Sequence, residues 1–160
     1  MTAPRVSIRP FDLSADLDAC VDIWSRAAKR AHPFLDGEGE GERRDRLRDI
    51  YFPNAESYIA EADGAIAGFI SLMPGPSGVT EIGGVFVDPD RQGGGVGRRL
   101  IEHAAALKGA LTLEVFVLNE ASRGFYRRVG FVEGAHRVYE ESGHMLVRCD
   151  RPARPVEILA

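Results

Sequence analysis

The sequence predicts an α+β domain: a mixed β-sheet with helices on both faces. Three observations carry that prediction. Apolar residues at two-residue and 3.6-residue spacing succeed one another as strand, two helices, three strands, helix, strand, helix and a closing pair of strands. The 160 residues are the size of one ordinary domain and contain no internal repeat. A glycine-rich turn, Gln92-Gly93-Gly94-Gly95-Val96-Gly97, sits mid-chain between a strand and a helix.

Residues 5–10 alternate Val6 and Ile8 with polar neighbours, which gives a first strand. Ser14 or Asp16 offers an N-cap to a helix whose apolar face is Leu17, Cys20, Val21, Trp24, Ala28 and Ala31. Residues 36–42, rich in Gly and Glu, predict a mobile loop, and residues 43–51 a second helix with Leu47 and Ile50. Residues 57–62 and 65–73 read as strands joined by Asp63-Gly64, a two-residue hairpin signal. A Pro/Gly loop over 74–78 leads into a strand over 79–87, and Asp88-Pro89 ends it. After the glycine turn, Val96, Leu100, Ala104 and Leu107 form one helical face, with Gly109 as the stop. Residues 111–118 predict a strand. Asn119 then caps a helix in which Ala121, Phe125 and Val129 recur every fourth residue, and Gly130 closes it. Residues 131–139 and 144–148 predict a last hairpin. The domain is expected over 1–149, with 150–160 as an irregular tail or extended arm containing Pro152 and Pro155.

Composition narrows the functional classes. With 44% hydrophobic and 28% charged residues the chain is of globular type, long enough to bury a core without disulfides or metal. A net charge of −4 gives no electrostatic reason to expect a nucleic-acid partner. Cys20 and Cys149, the only cysteines, suggest neither a disulfide framework nor a zinc site, and His103, His136 and His144 lack metal-ligand spacing, so no metal is expected. No signal-peptide pattern and no apolar run of membrane-spanning length is found. The expectation is a cytoplasmic enzyme or binding module, monomeric or homodimeric, without a membrane partner.

The glycine turn is an anion-binding arrangement. Successive backbone N–H groups and the positive end of the helix macrodipole converge on one point. Gly93, Gly94, Gly95 and Gly97 remove the Cβ atoms that would block a close approach, and Arg91, Arg98 and Arg99 add positive charge. A pyrophosphate suits it. No Lys-Ser or Lys-Thr follows the last glycine, so it is not a P-loop, and the glycine spacing is not that of a dinucleotide fingerprint. A plain flexible turn stays open at this point.

A second segment bears on that choice: Asn119-Glu-Ala-Ser-Arg-Gly-Phe125-Tyr126-Arg-Arg-Val-Gly130-Phe131. Together with Gln92-x-x-Gly95-x-Gly97 it resembles the GNAT superfamily of N-acetyltransferases, closely over 79–131 and by element order to about residue 148. Ile23-Trp24, His32 and Phe34-Leu35 resemble, over a shorter match, a group of small bacterial members. The resemblance implies a GNAT fold in which the strands ending at Val87 and Leu118 splay apart and acetyl-CoA lies in the cleft as co-substrate, with an amine acceptor. It implies that backbone groups of Val85, Phe86 and Val87 pair with the pantetheine arm as an added strand would. It further implies that Gln92, Gly93, Gly94, Gly95, Val96, Gly97 and Arg98 hold the pyrophosphate, that Asn119 contacts the pantetheine region, and that Phe125 packs near the cofactor.

The resemblance also implies roles in a direct ternary-complex transfer. Tyr126 matches the tyrosine that protonates the departing sulfur; a phenol of ordinary pKa near 10 is protonated at neutral pH. Glu81, eleven residues before Gln92, matches the base glutamate of some lysine acetyltransferases, against the alternative of a solvated strand glutamate. His32 is the other candidate base, though a surface position at a helix end is the preferred reading. A backbone N–H near Val85 is expected to steady the oxyanion. Trp24 is expected either in the core or at the acceptor site. Glu38, Glu40 and Glu42, followed by Arg43, Arg44, Arg46 and Arg48, read as a solvated mixed-charge segment. An acyl-CoA-sensing module without transfer activity, or a nucleotide-binding protein, are the alternatives to an enzyme.

Overall fold

The protein is described by a computed structural model over residues 5–35 and 39–154. Seven strands form one sheet: β1 (Val6–Pro10), β2 (Glu56–Ala62), β3 (Ala65–Pro74), β4 (Thr80–Val87), β5 (Leu111–Phe116), β6 (Val132–Val138) and β7 (Met145–Arg151). Their order is β1-β2-β3-β4-β5-β7-β6. Every neighbouring pair is antiparallel except β4 with β5. A parallel pair needs a crossover, and helix α4 (Val96–Lys108) supplies it.

Helices cover both faces, as the apolar patterning predicts. On one face Leu100, Ile101 and Ala104 of α4 pack on Ile70, Leu72, Leu113 and Val147, and α5 (Glu120–Arg128) adds Phe125 and Tyr126. On the other, Cys20, Val21 and Ile23 of α1 (Leu13–Ala31) pack with Phe52 on Ile59 and Phe69. Asp63 and Gly64 adopt positive φ, 53° and 81°, and join β2 to β3 as the expected tight hairpin.

The ends of several elements differ from expectation. The cap of α1 is Asp12, not Ser14 or Asp16: Asp12 Oδ1 accepts from the Ser14 amide at 2.9 Å. The Asp16 carboxylate instead accepts from the Asp12 amide at 2.8 Å and from Arg9 at 2.7 and 2.9 Å. Residues 40–42 are helical rather than loop, because Glu40 is pinned by Ser25 at 2.8 Å and by Arg44, one turn on, at 3.0 Å. Helix α2 (Glu40–Arg46) runs through a wide turn, Leu47–Tyr51, into α3 (Phe52–Asn54). Pro53 explains the widening: it has no N–H to give residue 49 and its ring crowds that carbonyl, and the Phe52 amide reaches back five residues to Leu47. Strand β5 stops at Phe116, two residues early, because the Asn119 amide turns back onto the Phe116 carbonyl at 2.9 Å. Strand β7 runs on to Arg151, past the expected boundary at 149: Asp150 pairs with Val132 and Arg151 with Leu111. Arg151 is only 5% exposed and donates to the Val129 carbonyl at 2.9 Å, an ordered role a charged residue does not advertise in sequence. Glu38 and residues 155–160 lie outside the described residues.

Asp16 offers a test of the fold. Its hydrogen bonds to Arg9 hold its carboxyl below the usual range, against the opposing cost of burial. A depressed folded-state pKa contributes stability above the unfolded value near 3.9 that is lost as pH falls through the folded one. Asp16→Asn should therefore lower stability by about 2 kcal/mol at pH 7. In urea melts across pH 2–7, the gap to the parent protein should narrow once pH drops below about 4.

Candidate active site

The sheet opens between β4 and β5. These strands pair only at Thr80↔Leu111 and Glu81↔Thr112. Just beyond, β4 bulges: Ile82 faces Leu72 and Gly84 faces Ser71, which leaves Gly83 without a partner on β3. A bulge bends its strand and sharpens the local twist, so β4 leaves β5 at this point. From 82 to 87 the β4 edge facing the gap has no strand partner among the described residues. Val85 and Val87 turn their side chains toward the α4 core, and Phe86 turns to the other face, 5.6 Å from Phe69. What Val85, Phe86 and Val87 offer the gap is backbone.

The glycine turn lies at the end of that edge. Arg26 of α1 clamps Asp88 with two hydrogen bonds of 2.8 and 3.1 Å, and Asp88 accepts from the Asp90 amide at 2.9 Å. Gly93 and Gly95 have φ of 87° and 81°, a region costly for residues with a Cβ. Gly95 caps α4, so the amides of Val96, Gly97 and Arg98 begin the helix without partners in it. No acidic side chain occupies that first turn. Gln92, Gly93 and Gly94, with Asp90 and with Asp63 of the β2–β3 hairpin, line a hollow of about 370 Å³ beside the turn. A Cβ on Gly97 would sit 3.0 Å from the Phe125 ring, so α5 packs against the same turn.

Helix α5 is anchored by Asn119, whose Oδ1 accepts from the Ser122 amide at 3.2 Å. The Asn119 side-chain Nδ2 is 3.4 Å from His32 Nε2, across from the end of α1. Tyr126 is packed between Phe125 and Phe131, with ring centres 5.4 and 5.6 Å away. Burial raises its phenol above the ordinary value, and the nearby Cys149 thiol adds to the effect.

On the opposite side of the gap is a cavity of about 1200 Å³ whose walls include His32, Phe34, Gly83, Glu114, Phe116 and His144. Phe34 meets Phe116 at 5.2 Å and His144 at 4.8 Å, and His32 meets Phe116 at 5.2 Å. His32 is thus part of this wall rather than a surface histidine, and burial, with a contribution from Arg43, lowers its pKa. Trp24 lines the cavity and also packs against the α1 core. Glu81 accepts from Arg148 Nη1 at 3.1 Å, and Arg148 also reaches Glu114 at 3.6 Å. Glu114 is held below the usual carboxylate range chiefly by its hydrogen bonds to Arg137. A ladder of alternating charge therefore crosses the sheet beside the gap. The structure brings together the residues expected at the turn with Phe125, and sets Asn119 beside His32. Sequence reading overlooked Gly83, Phe116, His144 and Arg148; two adjacent glycines inside a strand were the available signal for the bulge.

The sequence profile of the acetyltransferase (GNAT) family matches residues 19–131. The chain belongs to this family. It is 40% identical over 113 residues to the peptidyl-lysine N-acetyltransferase YjaB of Escherichia coli K12, covering 69% of this chain and 72% of that one. The solution structure of apo YjaB superposes with a TM-score of 0.79 at 30% identity, over 94% of this chain and 99% of that one. An acetyltransferase of Bacillus anthracis solved with acetyl coenzyme A superposes with a TM-score of 0.59 at 28% identity, over 66% of this chain and 69% of that one. The protein is an acetyl-CoA-dependent N-acetyltransferase with a GNAT fold. The residues present fit that co-substrate: a cradle of glycines and helix amides for a pyrophosphate, and an open strand edge for an amide-bearing arm. Among the described residues no cluster of His, Cys, Asp and Glu suits a metal ion, and no helix is long and apolar enough to cross a membrane.

Gly95→Val in this acetyltransferase places a β-branched side chain at positive φ in front of the α4 amides. Acetyl-CoA affinity by calorimetry should fall more than about tenfold, with a loss of stability of about 1–2 kcal/mol.

Proposed function

We propose that this acetyltransferase acetylates the primary amine of a lysine side chain in a peptide, or of a similar small amine, by direct transfer in a ternary complex. The observation that carries this reading is the two-sided gap. One side presents the free β4 edge, with Tyr126 packed in the α4-side core behind it, and the other opens into the aromatic cavity that includes Gly83. The aromatic walls suit the four-carbon stem of lysine, and Glu81 and Glu114 put carboxylates near its amine. The peptidyl-lysine activity in the name of YjaB supports the same acceptor class.

Acetyl-CoA supplies the acetyl group as a thioester. Val85, Phe86 and Val87 bind its arm through backbone groups, and Gln92 through Arg98 hold its pyrophosphate. Phe125 braces the glycine turn. Asn119 fixes the start of α5 and so sets where Tyr126 stands. Tyr126 holds a proton at its hydroxyl for the departing sulfur. A phenol of pKa 10 or more and a thiol near 8.5 differ by at least about 1.5 units, so complete transfer is uphill by about 2 kcal/mol. Tyr126 therefore acts first as a hydrogen-bond donor that stabilises charge on sulfur. Glu81 takes the amine proton, directly or through water. Arg148 orients its carboxylate through a hydrogen bond of 3.1 Å.

Tyr126→Phe should lower kcat about 10²- to 10³-fold while acetyl-CoA binding changes less than twofold. Because burial raises the phenol's pKa, the protonated form persists and Tyr126 should impose no alkaline loss of rate below about pH 10. A thiol-release assay with a lysine peptide across pH 6–10 checks both. Glu81→Gln should reduce kcat/KM about 10- to 100-fold in the same assay, with the deficit shrinking at high pH, where the free amine is already deprotonated.

A further inference from the structure

Tyr51 has no role in the chemistry above, yet its hydroxyl ends where β4 leaves β5. The wide turn at Leu47–Tyr51 brings its ring over β4. A Cβ built on Gly83 would lie 1.2 Å from the Tyr51 oxygen, so the hydroxyl rests directly on the bulge backbone. That oxygen is sealed from solvent and has no hydrogen-bond partner among the described residues. An unpaired buried hydroxyl is unfavourable, and phenylalanine would fill the same space without it. Three further features point to a ligand. Gly83 lines the acceptor cavity. The charge of Glu81 is near enough to reinforce the effect of burial in raising the Tyr51 phenol's pKa. Widened helical turns recur at functional sites. The cover over this spot includes the Met73 methyl, 2.9 Å from the same Cβ position, and a methionine end is easily displaced.

We propose that the Tyr51 hydroxyl and the Glu81 carboxylate together hold the acceptor nitrogen at the β4 bulge, which makes Tyr51 a substrate-contacting residue of the amine subsite. This rests on the amine-acceptor reading above. The phenol oxygen accepts one N–H of the amine while Glu81 accepts another. Burial keeps the phenol neutral, so it orients the nitrogen without competing for the proton that Glu81 removes.

The test is Tyr51→Phe, which deletes only the hydroxyl. Five quantities are compared with the parent protein: Tm, acetyl-CoA Kd, calorimetric binding of a lysine peptide to the CoA complex, and KM and kcat for that peptide. The expected result is an equal or higher Tm, acetyl-CoA Kd within twofold, and peptide binding and kcat/KM lower by about tenfold, with KM carrying most of the change. Peptide binding and kcat/KM within twofold of the parent would overturn the assignment. So would a lowered Tm with peptide and acetyl-CoA affinities falling together, which marks a purely structural tyrosine. If the parent transfers acetyl to no amine, the proposed function fails on its own, and equal peptide binding by parent and variant still overturns the role of Tyr51.

Discussion

The arrangement depends on one constraint: β4 and β5 are parallel neighbours that stay paired for only two residue pairs. A continuous sheet would satisfy the β4 edge internally and leave no gap. The bulge at Gly83 breaks that continuity, and the two cores, one on each face, hold the halves of the sheet on either side of it. The edge residues from Gly83 to Val87 are exposed or half-buried, so their unpaired backbone groups stay accessible. A ligand that suits such an extended polar edge is itself amide-bearing and extended.

Function then divides by face. The α4 side gathers the glycine turn, Phe125 and Tyr126, which are bound to one another through packing. The α1 side gathers the aromatic wall, the charge ladder and the Tyr51 hydroxyl. The gap lies between the two, which suits a reaction between a bound acyl donor and an amine arriving from the opposite direction. Arg26 and Asp88 link the sides mechanically, since α1 of the acceptor side clamps the residue that precedes the glycine turn.

Much of this was legible in sequence, for identifiable reasons. Strand–turn–helix at residues 85–97 and the capped helix at Asn119 are local patterns, and local patterns set local structure. Their resemblance to the family was visible because both segments carry distinctive residues: glycines at the turn and the Phe125-Tyr126 pair. The misses are tertiary. The reciprocal Asp12–Asp16 capping depends on Arg9 from another element. Arg151 is part of a strand through its pairing with Leu111, and its side chain reaches the Val129 carbonyl. His32 looked like a surface residue until Phe34, Phe116 and Asn119 closed around it. Tyr51 was invisible as a site residue because its position follows from Pro53 acting on the turn before it, and from a glycine more than thirty residues away.

The open β4 edge is the central claim, and amide hydrogen exchange with and without acetyl-CoA tests it most directly. Binding should slow exchange in two segments, 83–87 on the β4 edge and 93–98 at the glycine turn, while β1 and β2, remote from the gap, change little. Saturating acetyl-CoA that leaves both segments unprotected, or that protects only residues outside the gap, would contradict the account.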